Sequence, residues 1–327
     1  MIGKLSSEQL NDIVFRHLTF KRPEVMVRPS VGEDCAVIRV GDHAVVLSTD
    51  PITGTANAVG KLAVNINLND IASNGVAPMG LMLTVLAPVG TSLDALEQVI
   101  ADAARTAESN GVEIIGGHTE LTDAVNRIVI SAVAIGIQPH EQVLSLKKIS
   151  VGDVIMLTKA VAIEGTGILA CEKASELEVA IGAEALKEAK GFLELTSVVK
   201  EGLIAGNVKV KAMHDVTEGG LLGAVWEMCY GAGLGCMIHE CDIPIHVVTQ
   251  QICDYFDIDP LRLISSGAML IVVAPEAVDQ LGALMGEAGV SIQEIGVITE
   301  SEYLIELEGE VFEIAPPQGD ALFEVLG

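Results

Sequence analysis

Residues 60–75 read GKLAVNINLNDIASNG, and the fold turns on how the polar residues in that run are understood. Leu62, Val64, Ile66, Leu68 and Ile71 are apolar, yet Asn65, Asn67, Asn69 and Asp70 sit among them. Asn and Asp are poor helix-interior residues, because their side chains compete for nearby backbone groups. Burying an amide or a carboxylate costs free energy unless it finds a partner. The run is therefore either a solvated helix face or a helix whose polar groups hold something. Lys61, Asn65, Asn69 and Ser73 recur at every fourth position, which makes one helical stripe with Asp70 beside it. Apolar residues take much of the remaining circumference, so a mostly buried helix is expected. A buried stripe of amides next to a carboxylate favours a ligand, a metal or an interface over water.

Working outward, CAVIRV and HAVVLST form a hairpin about Gly41-Asp42. LMLTVLAP, VEIIGG and RIVISAVAIGI read as further strands. SLDALEQVIADAARTAESNG reads as a helix capped by Ser92 and ended by Gly111. Periodicity is lost near residues 138–150, which sets an expected division into 1–146 and 147–327. The second part opens with the strand DVIMLTK and a helix over 164–174, followed by polar helices to about 206. VKVKAMHDVTEGG, a helix over 220–230, a strand over 235–239 and a strand–helix–strand unit complete it. The class is mixed α/β (α+β), with two domains.

The chain has 19 Lys and Arg against 45 Asp and Glu, a net charge of −26 over 327 residues. Nucleic-acid binding rests on basic residues that neutralise phosphates, and no basic cluster exists, so no nucleic-acid partner is expected. An anionic membrane surface is disfavoured on the same ground, and no apolar run is long enough for a span. The first residues, MIGKLSSEQLNDIVFRHL, lack the apolar core of a secretory signal and read as an amphipathic helix capped by Ser6 or Ser7. Six scattered cysteines with no CxxC pair point to reduced thiols and a cytoplasmic setting. Cys236, His239, Cys241 and His246 match no zinc spacing and read as a strand followed by a loop.

Gly54…Gly60-Lys61 is one residue too long for a P-loop, and Leu62 stands where Ser or Thr would bind magnesium. The informative pattern is instead a set of acidic turns: Glu33-Asp34, Asp50, Asp70, His118 with Glu120, and Asp215 with Glu218. Each alone is an ordinary turn or cap residue. Strand ends along one sheet edge converge in space, and convergent carboxylates repel one another. A divalent cation removes that conflict, and hard oxygen ligands suit Mg²⁺. Gly116-Gly117 and Gly219-Gly220 offer backbone N–H groups that can face phosphate.

GEDCAVI (32–38), STDP (48–51), GKLAVNINLNDIASNGVAPMGL (60–81), GGHTE (116–120), SVGDVIMLTK (150–159), IEGTGILA (163–170) and HDVTEGGL (214–221) follow one another along the chain. In that order they resemble the aminoimidazole ribonucleotide (AIR) synthetase-related superfamily. Its members include thiamine monophosphate kinase, selenophosphate synthetase and the hydrogenase maturation protein HypE, and the run from Gly60 resembles the HypE branch. The resemblance implies an N-terminal ATP-binding domain that pairs with its copy into a barrel-like homodimer core, and a C-terminal domain covering the site. It implies Mg²⁺ on Asp34, Asp50 and Asp70. It places ATP phosphates on Lys61, Asn65, Asn69 and the loop of Gly116, Gly117, His118, Thr119 and Glu120. Asp215 or Glu120 would orient or deprotonate an acceptor, either a small molecule or a protein-bound group. HypE carries its carbamoyl group on a C-terminal cysteine, whereas the last cysteine here is Cys253. The expectation is an ATP-cleaving phosphotransferase or dehydratase-type enzyme with an open choice of acceptor; the alternative is a nucleotide-binding scaffold in metal-cofactor maturation.

Overall fold

The computed structural model describes residues 3–53 and 58–327, so Gly54 of the near-P-loop run lies outside the described residues. Ser6 caps α1 (Ser7–Gln9), its hydroxyl accepting from Gln9 N–H while the Gln9 side chain reaches back. The expected regular helix does not continue: a π-type turn over Leu10–Val14 and a 3-10 turn over Phe15–His17 follow. None of these residues is buried, so no packed face enforces regular geometry.

The first sheet contains β1 (Val25–Val27), β2 (Ala36–Val40), β3 (His43–Ile52), β4 (Pro78–Pro88), β5 (Glu113–Thr122) and β6 (Val129–Pro139), in the order β1-β2-β3-β6-β4-β5. Neighbours are antiparallel except β4 and β5, which the crossover helix α3 (Leu93–Ser109) joins as a parallel pair. As expected, the Ser92 hydroxyl caps α3 by accepting from Ala95 N–H.

β7 (Val154–Thr158), β8 (Val210–Asp215), β9 (Gly235–His239), β10 (Met269–Val273), β11 (Ile292–Thr299), β12 (Tyr303–Leu307) and β13 (Glu310–Glu313) build the second sheet, ordered β13-β12-β9-β11-β7-β10-β8. β7 and β10 are buried at every position, which accounts for their unbroken apolar runs. Helices α4 (Ile163–Glu172), α5 (Ala174–Ile181), α6 (Ala183–Gly191), α7 (Val199–Gly206), α8 (Gly220–Ala232), α9 (Val247–Phe256), α10 (Val278–Glu287) and α11 (Ala321–Leu326) complete this half. No described helix is long and apolar enough to cross a membrane.

The opening run forms α2 (Val59–Ser73), and every residue of it except Lys61 is buried. It packs against β3, β6 and α3 on one side and against α7 and β8 of the second half on the other. Gly202 of α7 permits that contact, since a Cβ there would lie 2.3 Å from the Ala72 carbonyl oxygen. α2 is thus the shared wall of both halves, and its polar residues must find partners on two fronts.

Candidate active site

The polar residues of α2 divide into two groups. The Asn69 amide donates to Thr196 O at 2.8 Å, and its oxygen accepts from Val198 N–H at 2.8 Å. Asn65 donates to the Thr196 hydroxyl at 2.9 Å. Lys61 pairs with exposed Glu194. Asn67 accepts from Asp50 N–H at 2.8 Å and donates to Ala63 O at 2.9 Å. The stripe expected to face phosphates therefore ties α2 to the segment before α7. It does so because Leu193–Val198 presents backbone groups that a buried helix can satisfy only with side-chain amides.

Asp70 faces the other way. It is 3% exposed and accepts from the Ser48 hydroxyl, while Ser73 O–H reaches Asp34 Oδ2 at 3.4 Å. Around it gather Asp34, just before β2; Asp50, on β3; and Asp215, at the end of β8. Burial pushes the Asp70 carboxyl well up, and Asp215, Asp50 and Asp34 push it further. Asp50 rises for the same two reasons, with Lys4 opposing. Asp215 is 1% exposed, neither of its oxygens has a hydrogen-bond partner, and burial with the Asp34 charge raises it to about 7. Asp34, His214 and Asp215 each bring a ligand atom within 4.8 Å of the others; among the described residues this is the group of His, Cys, Asp and Glu able to hold an ion. Four carboxylates from separate elements, two of whose oxygens are buried without partners, fit a hard divalent cation.

His214 Nδ1 lies 3.2 Å from Asp34 Oδ2, and Nε2 lies 3.7 Å from Glu227 Oε2. Burial lowers its pKa, but Asp34 and Glu227 outweigh that and raise it well above the usual value, so the imidazole sits between two carboxylates that favour its charged form. Cys35 donates its thiol to Asp70 O at 3.1 Å and is buried, a packing role as expected.

His214 and three further participants were not singled out from sequence. Lys4 N–H donates to Glu218 Oε1 at 2.6 Å and its ammonium to Thr217 Oγ1 at 3.4 Å. Although burial opposes it, Glu227, Asp50, Asp34 and Glu218 hold Lys4 above the ordinary lysine range. Ser48 and Glu227 are the others. Glu227 had a legible signal, being the one charged residue in the apolar helix GLLGAVWEMCYGA.

Two expectations about backbone donors do not hold. Gly219 N–H donates to Asp320 Oδ2 at 2.7 Å and Gly220 N–H to Thr217 O at 3.1 Å, so neither is free for phosphate. Gly116, Gly117, His118, Thr119 and Glu120 do not form a loop, because β5 runs straight through them. Gly117 serves close strand approach, since a Cβ there would meet Leu83 O at 2.0 Å. The register Asp50–Ala132–Leu83–Gly117 puts β5 three strands from the acidic cluster, about 14 Å at the usual spacing. The exposed pair His118 and Glu120, 2.9 Å apart, is therefore not brought to Asp215 within one chain.

Comparison with known proteins identifies the family and the fold. The AIR synthase related protein N-terminal domain matches residues 32–138, and its C-terminal domain matches residues 150–306. The hydrogenase expression/formation protein MJ0676 of Methanocaldococcus jannaschii is 28% identical over 91% of this chain and 89% of its own. Carbamoyl dehydratase HypE of Escherichia coli is 25% identical over 72% of this chain and 68% of its own. Among solved structures, HypE in a HypE–HypF complex superposes with a TM-score of 0.78 at 21% identity, covering 94% of this chain and 99% of that one. AaThiL complexed with AMPPCP and TMP gives 0.76 at 18% identity, covering 98% of each chain. With both domain signatures in sequence order and the two-sheet architecture shared throughout, the chain belongs to the AIR synthase related protein family.

Proposed function

We propose that the protein is a magnesium-dependent, ATP-cleaving enzyme that transfers the terminal phosphoryl group to an acceptor, in the manner of hydrogenase-maturation relatives. The observation that carries this reading is the gathering of Asp34, Asp50, Asp70 and Asp215 from four elements, with Asp70 and Asp215 buried and both oxygens of Asp215 left without partners. Support also comes from relatives named for hydrogenase formation and carbamoyl dehydration, and from fold neighbours captured with ATP and with AMPPCP.

Asp34, Asp50 and Asp70 would hold Mg²⁺, which supplies the positive charge that a triphosphate needs in a chain of net charge −26. The protein's own part is positioning. His214 and Ser48 fix the orientations of Asp34 and Asp70. Asp215, whose oxygens have no partner within the chain, takes the acceptor's proton as the acceptor–phosphorus bond forms and ADP departs with the electrons of the broken bond. Lys4 lines the adjoining cavity, and Lys61, on the stripe facing Glu194, would exchange that exposed partner for a phosphate.

β5 is an exposed sheet edge bearing Ile115 and Leu121 beside exposed Met79 and Met82 of β4, an apolar edge suited to pairing with a second copy. A homodimer built along it would set His118 and Glu120 against the partner's cleft, and the enzyme works among soluble cytoplasmic partners. Isothermal calorimetry of Mg·AMPPNP tests the reading. Micromolar binding that requires Mg²⁺ and falls at least about thirtyfold in Asp50→Asn and Asp70→Asn is expected; unchanged affinity in both variants rejects the assignment.

A further inference from the structure

Beside the acidic cluster, between α2, α4 and α11, lies a cavity of about 340 Å³. Ile52, Ile66, Ile168, Ile264 and Leu322 supply most of its wall. Among the polar side chains that line it, two are fully buried. Glu164, in the first turn of α4, is 3% exposed, and Ser266, in the loop before β10, is 0% exposed. Neither Glu164 Oε2 nor Ser266 Oγ makes a hydrogen bond of ordinary geometry; the Ser266 hydroxyl and backbone lie near the Glu164 carboxyl, but their contacts offset the cost of its burial only in part. A buried carboxylate oxygen without a donor is costly, and native interiors rarely retain one without a use.

The neighbouring acid shows the contrast. Asp320 caps α11 and accepts from Gly219 N–H, Ile264 N–H and Leu322 N–H at 2.7, 3.1 and 2.8 Å. Asp320 is consumed in fixing the wall, whereas Glu164 is left for an occupant. Residues 321–326 are likewise held as wall by that cap rather than threaded into the cavity. Among the described residues the charge facing the space is one-sided, with Asp50, Glu164 and Glu218 against one cation, Lys4. An anionic occupant is disfavoured, and an N–H donor on an apolar body is what the lining satisfies.

We propose that this cavity is the acceptor subsite, taking a small amine or amidine whose apolar body lies on the isoleucines and whose N–H groups are received by Glu164 and Ser266. The word acceptor rests on the phosphoryl-transfer reading; the binding does not. The volume is at the small end of ligand pockets, enough for one or two rings. An adenine ring also carries an N–H group on a flat body, so the test separates the two sources.

Benzamidine serves as the probe, with benzoate as its anionic counterpart, titrated by calorimetry at pH 7.5 into wild type, Glu164→Gln and Ser266→Ala. Benzamidine binding at sub-millimolar to millimolar concentration is expected, weakened at least tenfold in Glu164→Gln and severalfold in Ser266→Ala, with no benzoate binding. The Mg·AMPPNP dissociation constant should stay within twofold in both variants. Glu164→Gln keeps the side-chain shape, so its melting temperature should not fall, and Ser266→Ala gives a second route should it do so. The proposal is overturned by absence of benzamidine binding, by equal affinity in wild type and Glu164→Gln, or by benzoate binding as tightly. Loss of Mg·AMPPNP affinity in Glu164→Gln would also overturn it, by making the cavity the base pocket. If wild type binds benzamidine but not Mg·AMPPNP, the phosphoryl-transfer reading fails and the amine site stands.

Discussion

The two sides of α2 carry the same kinds of polar residue and use them oppositely. Toward the segment before α7, both ends of the Asn69 amide and the Asn65 N–H are matched by Thr196 and Val198, while Asn65 Oδ1 lacks a partner. Toward β2, β3 and β8, Asp70 joins three other acids, and Asp215 keeps two oxygens without partners. A buried polar group that the chain satisfies holds the fold together. One that the chain leaves unsatisfied strains the fold until a ligand arrives. Substitutions on the two sides should therefore move stability and activity in opposite directions.

The largest effect is expected at Asp215. Asp215→Asn removes the proton acceptor, so ADP formation should drop by about a hundredfold or more, in the range for a lost general base. The same substitution removes a buried charge, so thermal melting without metal should hold or rise. A fall in both melting and activity would break the comparison, because Asp215 would then be structural. Next comes Asn69→Ala, which orphans the Val198 N–H and the Thr196 carbonyl. Each buried unsatisfied group costs about 1–3 kcal/mol, so denaturant titration should show a loss of about 2–4 kcal/mol. Mg·AMPPNP affinity, measured well below the melting temperature, should change little.

This division also explains what the sequence made legible. Strands and helices followed from periodicity, including the buried strands β7 and β10. The acids at turns were visible because charged residues at the ends of apolar runs stand out. The partner of Asn65 was not visible, because Thr196 is 131 positions away and a long-range hydrogen bond leaves no local trace. Gly116-Gly117 suggested a turn, since glycine signals chain reversal as readily as close strand approach, and only the neighbouring strand decides. Lys4 precedes an ordinary cap residue, and nothing in GKLSSEQ says that it will lie over four carboxylates. β12 and β13 were missed, their sequence YLIELEGEVFE being too acidic to suggest a sheet edge.

A pH titration sharpens the comparison at an intermediate scale. Asp215 has a folded pKa of about 7 against an ordinary aspartate value of 3.8. Between those values the native state holds a proton that the unfolded chain has released, so stability is greatest at the acid end and declines as pH rises through 7. Glu164, raised from 4.5 to about 7 chiefly by burial, contributes with the same sign. Raised His214 adds a further decline above its ordinary value of 6.5. Without metal, melting should fall from pH 5 to pH 8 by the equivalent of a few kcal/mol. Mg²⁺ competes with protons for the acids and should recover more of that loss at pH 8 than at pH 5. Asp215→Asn should flatten the metal-free slope, whereas Asn69→Ala should shift the whole curve downward without changing it.

The smallest effect is expected where the two sides meet the surface. Lys61 stands on the tied stripe, yet its ammonium group is partly exposed and its partner Glu194 more so, with side-chain exposures of 23% and 70%. An exposed ion pair contributes about 0–1 kcal/mol, so Lys61→Gln should alter denaturant stability by less than about 0.5 kcal/mol. Its effect on nucleotide binding is the more informative reading. If the stripe is structural along its whole length, Mg·AMPPNP affinity should match wild type, as it should in Asn69→Ala. If Lys61 exchanges Glu194 for a phosphate, affinity should fall severalfold in Lys61→Gln, and Glu194→Gln should raise it by releasing the same lysine. That reciprocal pair of shifts would show where along α2 the tied side gives way to the ligand-binding one.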